Sequence, residues 1–353
     1  MNHPEHFDMP QAEPPQIPKI KSYKTVCFKL GLIMCVYYVC RIAATFILIL
    51  TVDRLSGTLS YIVTWSAQLV FIYIIPIAFA MFLFDSFNYY EVLSGGLKKL
   101  YSVPDRLAKN LGLITPLYGL TQSVNLITIL VFILIPVIFP TIQDNVELQQ
   151  FFERTPIELP QTLTGVLILL FMIVIAAPLL EEFLFRGVMY DALKPYGDGI
   201  AIIVTSVLFG LMHASIHMLF YATAAGFAFG YIRYATNSLF LVTILHLIVN
   251  AVFGGMYFIL SLSEITNINV MTIETISSIY TLAILVFTAI GIFALIKRIP
   301  TIRKYRIVNN WDELRPFKKV CLCFFSISMI IMLILAIDVH ANYPLLIWIV
   351  GLN

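Results

Sequence analysis

The sequence predicts an all-α protein, a polytopic membrane helix bundle of about nine transmembrane helices. Three observations predict it. Of 353 residues, 60% are hydrophobic and only 12% charged, against roughly 25% charged in a soluble domain. The mean hydropathy is +0.91. Apolar runs of spanning length also recur along the chain, and the short loops between them alternate between basic and acidic or neutral.

The first residues, "MNHPEHFDMPQAEPPQIPKIK", carry acids and prolines where a secretory signal would need a basic end and an apolar run. Residues 1–18 are therefore expected to form a disordered, proline-rich arm. Apolar runs near the ~20 residues of a spanning helix then follow at 30–51, 59–84, 111–139, 163–187, 200–217, 218–235, 239–260, 276–296 and 320–339. The fifth and sixth are short and separated only by a tight turn. The final patch, "YPLLIWIVGLN", is too short to cross again and is expected at the interface. Segment 86–110, with "LSGGLKKLYSVPDRL", suits either an amphipathic helix on the membrane surface or a solvated loop.

The chain accordingly divides into the arm (1–18), an N-terminal region of three spans (19–162), a core of four spans (163–260), and a C-terminal region of two spans with an interfacial tail (261–353). Basic residues cluster before the first span (Lys19, Lys21, Lys24, Lys29), between the second and third (Lys98, Lys99, Arg106, Lys109), and between the eighth and ninth (Lys297 to Lys319). The alternate loops hold Asp144, Glu147, Glu153 and Glu158 against Arg154 alone, and Glu264 and Glu274 with no basic neighbour. With nine spans every basic cluster falls on one side, which predicts a cytoplasmic N-terminus. The five cysteines, Cys27, Cys35, Cys40, Cys321 and Cys323, show no zinc or redox spacing and read as small apolar fillers.

Against this background a few polar residues stand out. A charge at the bilayer centre costs about 2.5–3.5 kcal/mol on insertion scales, yet "APLLEEFLFRG" (Ala177–Gly187) places Glu181, Glu182 and Arg186 near the inner end of the fourth span. Glu182 and Arg186 are four apart and share a helix face, so they can pair. Glu181 points about 100° away and has no such partner. Snorkelling or capping at the membrane boundary is the alternative for all three. On the fifth span, "LFGLMHASIH" sets His213 and His217 one turn apart. A lone histidine there can be a helix–helix hydrogen bonder, and an i, i+4 pair can hold a metal, although the string H-E-x-x-H is absent. On the seventh span "ILHLIVN" puts His246 and Asn250 on one face, as polar glue between helices or as two donors side by side.

Polar groups in lipid face the bundle interior, so these three faces are expected to converge. No serine or cysteine stands beside a base as a nucleophile. The set instead suits attack by water: Glu181 removes the proton, His213 holds or activates the water, and His246 with Asn250 stabilises the tetrahedral oxyanion. One difficulty remains. With these boundaries His213 lies about 20 Å from the inner end of its span and His246 only about 10 Å, which puts the boundary near "KPYGDGI" (Lys194–Ile200) in question. Arg41, in the first span, could pair with a carbonyl or an acid, or bind part of a substrate. Gly226 and Gly230 make a small-residue face suited to close helix packing.

"EEFLFRG", "FGLMH" and "HLIVN" match, in order, the EExxxR, FxxxH and HxxxN elements of the CAAX protease and bacteriocin-processing (CPBP, or Abi) family of intramembrane endopeptidases. Its best-known branch is the Ras-converting CAAX endopeptidase. The chain resembles that family over residues 163–255. The resemblance implies a catalytic cavity inside the helix bundle and open toward the cytoplasm. It implies Glu181 as catalytic carboxylate, His213 as its partner on the water, His246 and Asn250 as oxyanion donors, and Glu182 and Arg186 as support. His217 has no counterpart in those motifs. The family has been described both as metal-dependent and as working through glutamate alone. The glutamate route requires no cofactor, zinc is the alternative, and the metal ligands stay open. The expected partners are the lipid bilayer and a peptide or protein substrate in it, membrane-embedded, lipidated or a secreted-peptide precursor. No nucleic acid is expected, and the oligomeric state is not set. Small extramembrane regions fit a bacterial plasma membrane. A non-proteolytic peptide-binding immunity or regulatory protein is the alternative function. A transporter is disfavoured because no repeated halves are visible.

Overall fold

The computed structural model describes residues 20–51, 55, 58–84, 101, 103–104, 107–139, 159–213, 215–266, 268–304 and 315–340. The expected arm 1–18, the tail from 343 and most of the segment 86–110 lie outside these residues. Among the described residues the regular elements are all helical, as lipid demands of backbone groups that have no water to bond. We number them α1 (Ile20–Thr51), α2 (Thr58–Leu83), α3 (Leu107–Leu111), α4 (Ile114–Ile138), α5 (Leu163–Tyr196), α6 (Asp198–Met212), α7 (Ile216–Thr236), α8 (Leu239–Ile265), α9 (Val270–Lys304), α10 (Pro316–Phe324) and α11 (Ile327–His340).

Six of these are long and apolar enough to cross a membrane: α1, α2, α4, α5, α8 and α9. A seventh is reached if α10 and α11, bent by 67° at their junction, count together. Length and composition thus do not confirm the expected nine, and the difference from seven lies in α6 and α7. Helix α6 has 15 residues, a rise of about 22 Å, short of the ~30 Å hydrocarbon core. Helix α7 has the length but not the hydropathy, carrying His217 and Arg233 among alanines and glycines. The two pack on each other as an antiparallel hairpin. A hairpin adds either two crossings or none, so the side assigned to each flanking loop does not change.

Helix α5 lies at the centre, against α2, α6 and α8, while α4 packs between α7 and α9, and α1 lies against α2 and α11. Helix α5 does not stop near Gly187 but runs 34 residues, to Tyr196. Gly197 then turns the chain with φ of 123°, a conformation that a side chain would strain, and α6 starts at once. This resolves the depth discrepancy. Glu181 lies sixteen residues before Gly197 and His213 sixteen after it, so two antiparallel arms carry both to the same height. On the other side Leu239, the first residue of α8, lies against Gly187. Helix α8 thus begins deep, and His246 two turns on reaches the level of the glutamates. Close packing depends on Gly226: a Cβ there would sit 2.9 Å from Ser206 Cα on α6.

Candidate active site

Three stretches of π-helix, Leu69–Ile74 in α2 and Phe171–Ala176 and Phe183–Met189 in α5, surround one point of the bundle. A π turn adds a residue to the helix and frees carbonyls from the regular ladder, and such turns concentrate at functional sites.

On α5 the two glutamates diverge, as the helical spacing requires. Glu182 is fully buried. Its Oε1 accepts from Arg186 Nη1 at 3.2 Å and from His246 Nδ1 at 2.8 Å. The Arg186 guanidinium also donates to Gly226 O at 3.2 Å and lies 4.3 Å from the Phe209 ring centroid, with Phe185 and Phe229 around it. A buried charge is tolerable only when paired and hydrogen-bonded; the charges of this trio are paired, while Glu182 Oε2 and Arg186 Nε have no hydrogen-bond partner among the described residues. Glu181 points elsewhere. Its Oε1 accepts from Tyr73 Oη at 3.0 Å, and its Oε2 lies 3.8 Å from His246 Nε2.

His246 therefore stands between the two carboxylates, with Phe229 stacked on its ring at 4.7 Å. Because a carboxylate only accepts, Nδ1 carries the proton shared with Glu182. Nε2, facing Glu181, can donate as well when the ring is an imidazolium. His213 caps the end of α6, where its Nδ1 bonds Phe209 O at 2.8 Å. A carbonyl also only accepts, so that nitrogen holds the proton and Nε2 keeps its lone pair. Glu181 and His246 are both within electrostatic range of His213. Asn250 is on the same face of α8 as His246, but its Nδ2 donates to Ile173 O at 2.9 Å, in the π stretch of α5. One of its two N–H groups is thus engaged.

Several neighbours escaped the sequence reading. Tyr73 is one. Tyr37 is another: it accepts from Arg41 Nη1 at 3.0 Å and donates to Met212 O at 2.5 Å, next to His213. Arg41 lies in electrostatic range of Tyr73 and His213, and a cavity of about 70 Å³ lies beside it, walled by Thr45, Gln68 and Ile72. The third is Tyr101, outside the spans, which lies near Thr243 and in electrostatic range of Glu182. Burial and the Glu182 carboxylate push its hydroxyl up to about 12, against the opposing pull of Thr243. The available signal was weak: a buried tyrosine needs a partner for its hydroxyl, but nothing in the spacing says which.

One expectation fails outright. The break between α6 and α7 separates His213 from His217, so they do not form a pair on one helix. His217 packs on Phe132 of α4, ring centroids 4.3 Å apart. Among the described residues no three His, Cys, Asp or Glu side chains are grouped to hold a metal ion. Nδ1 of His246 and Nδ1 of His213 bond a carboxylate and a carbonyl, which orients each ring and leaves its Nε2 for the site.

Fold and site together define a polytopic helical membrane protein with a buried carboxylate–imidazole centre. The family model for "Type II CAAX prenyl endopeptidase Rce1-like" matches residues 163–252, the segment that supplies Glu181, Glu182, Arg186, His213, His246 and Asn250. Over that segment, about a quarter of the chain, the sequence is similar to that endopeptidase family. It is also 34% identical over 77 residues to the Bacillus subtilis (strain 168) protein named "Putative membrane peptidase YdiL", covering 22% of this chain. The chain spans about a third, 32%, of that relative's length. No solved structure matches the chain.

Proposed function

We propose that this protein is an intramembrane endopeptidase that hydrolyses a peptide bond with water activated by Glu181. The observation that carries this reading is the division of labour between the adjacent carboxylates. Glu182 is committed to Arg186 and His246, whereas Glu181 is held by a neutral tyrosine and faces His246 across 3.8 Å. In the proposed step a water lies between Glu181 and the lone pair of His213 Nε2. Glu181 takes its proton while the water oxygen attacks the peptide carbonyl. The oxyanion receives hydrogen bonds from His246 Nε2–H and the remaining N–H of Asn250. Glu181 then returns the proton to the leaving amine nitrogen as the C–N bond breaks. Tyr73 orients the carboxylate without competing for the proton.

The substrate on this reading is a peptide presented at the membrane: membrane-embedded, lipidated, or a secreted-peptide precursor. The alternation of basic loops supports a cytoplasmic N-terminus, and the small extramembrane regions support a bacterial plasma membrane. The test uses purified protein in detergent with lipidated and unlipidated membrane peptides. Cleavage by wild type and its loss in Glu181→Gln, His213→Ala and His246→Ala is the expected result. Biological activity that survives Glu181→Gln would move the reading to a peptide-binding immunity or regulatory protein. Loss to a chelator with recovery on zinc would replace the glutamate mechanism.

A further inference from the structure

Where α10 and α11 bend by 67°, they leave an open groove of about 690 Å³ against the start of α1. Lys24 and Lys318 line it, with Phe28, Leu322, Phe325 and Ile327 as apolar walls and the hydroxyls of Thr25 and Ser326 between. Among the described residues no carboxylate lines it. Both lysines are exposed, and Phe325 and Ile327 form exposed apolar lips.

The groove is built rather than a gap between loose helices. Tyr23 Oη donates to Lys319 O at 2.9 Å, and Lys319, fully buried, donates from Nζ to Tyr196 O at 3.1 Å. Farther along, Ser328 Oγ donates to Phe28 O at 2.8 Å. These bonds fix α10 and α11 to α1 on both sides of the groove. They also tie its floor to Tyr196, the last residue before the Gly197 turn of the α5–α6 hairpin.

We propose that this groove binds an anionic phospholipid from the leaflet at that end of the bundle. Two ammonium groups select a negative headgroup, and the apolar walls and lips receive the first methylenes of its chains. The volume suits a ligand of that size. The position is also right: Lys24 and Lys318 belong to the two basic clusters that charge asymmetry puts on one membrane side, and basic pockets between helices there suit anionic headgroups. An acidic peptide would satisfy the lysines but not the lipid-facing apolar lips. This assignment does not depend on the proteolytic reading.

Native mass spectrometry of the full chain, released from mixed micelles holding phosphatidylglycerol and phosphatidylcholine, tests it. Wild type is expected to retain phosphatidylglycerol over phosphatidylcholine by roughly tenfold or more, from about fivefold per lysine. The Lys24→Gln/Lys318→Gln protein loses the preference, and Lys24→Arg/Lys318→Arg keeps it. Lys297→Gln/Arg298→Gln, which removes two positive charges elsewhere, also keeps it. Three results would each overturn the proposal: no preference in wild type, an equal loss in the Lys297/Arg298 variant, or displacement of the lipid by glycerol 3-phosphate or a glutamate-rich peptide as readily as by phosphatidylglycerol.

Discussion

Glu181 and Glu182 are adjacent, chemically identical and both buried, yet their surroundings assign them different work, and substitution can separate the two. Glu182→Gln leaves Arg186 buried without its countercharge, a loss of about 3–5 kcal/mol. The thermal unfolding midpoint of the solubilised protein should drop by several degrees. Glu181→Gln keeps its neighbours satisfied and should unfold at nearly the wild-type temperature while losing cleavage. Equal shifts in both variants would remove the distinction on which the mechanism rests. Tyr73→Phe deletes one hydrogen bond to a carboxylate, about 1.5–3 kcal/mol, so kcat should fall by roughly tenfold or more with KM little changed. An unaltered kcat would reduce Tyr73 to packing. At this scale most of the site was legible: spacing of four paired Glu182 with Arg186 and aligned His246 with Asn250. It failed at contacts between distant segments. Nothing in the sequence links Tyr73 to Glu181, 108 residues on, or reveals that Ile173 O engages Asn250.

Among the elements, the α5–α6 hairpin and the α6–α7 pair decide whether the site assembles. Gly226 serves twice, letting α7 approach Ser206 and offering its carbonyl to Arg186. Gly226→Val should cost about 1–3 kcal/mol by overpacking and lower the unfolding midpoint. It should also reduce cleavage by displacing the Arg186–Glu182 pair. Activity and stability both at wild-type levels would mean that the two helices have slack there. The small-residue face was visible in the sequence, because glycines four apart on an apolar helix imply contact. The π stretches were not. One inserted residue changes no composition or period detectably, yet it sets which carbonyl opens toward Asn250 and where Tyr73 points.

For the molecule as a whole, the number of crossings is the open contrast between hydropathy and structure. If α6 and α7 dip into the bundle and return, Ser215 at their junction stays within the protein. In a cysteine-free background, Ser215→Cys should then label poorly with a membrane-impermeant thiol reagent from outside. A position in the Glu264–Asn269 loop should label well. Ready labelling of both would restore nine full crossings. The sequence by itself determined that the chain is a membrane-embedded helix bundle and which few polar residues interrupt its apolar helices. Those properties follow from composition, charge and the helical repeat, all of them local. Only the tertiary structure decided how deep each helix starts, because depth depends on where a turn packs against its neighbours. Gly197 sets Glu181 and His213 level, and the seat of Leu239 on Gly187 lifts His246 to meet them.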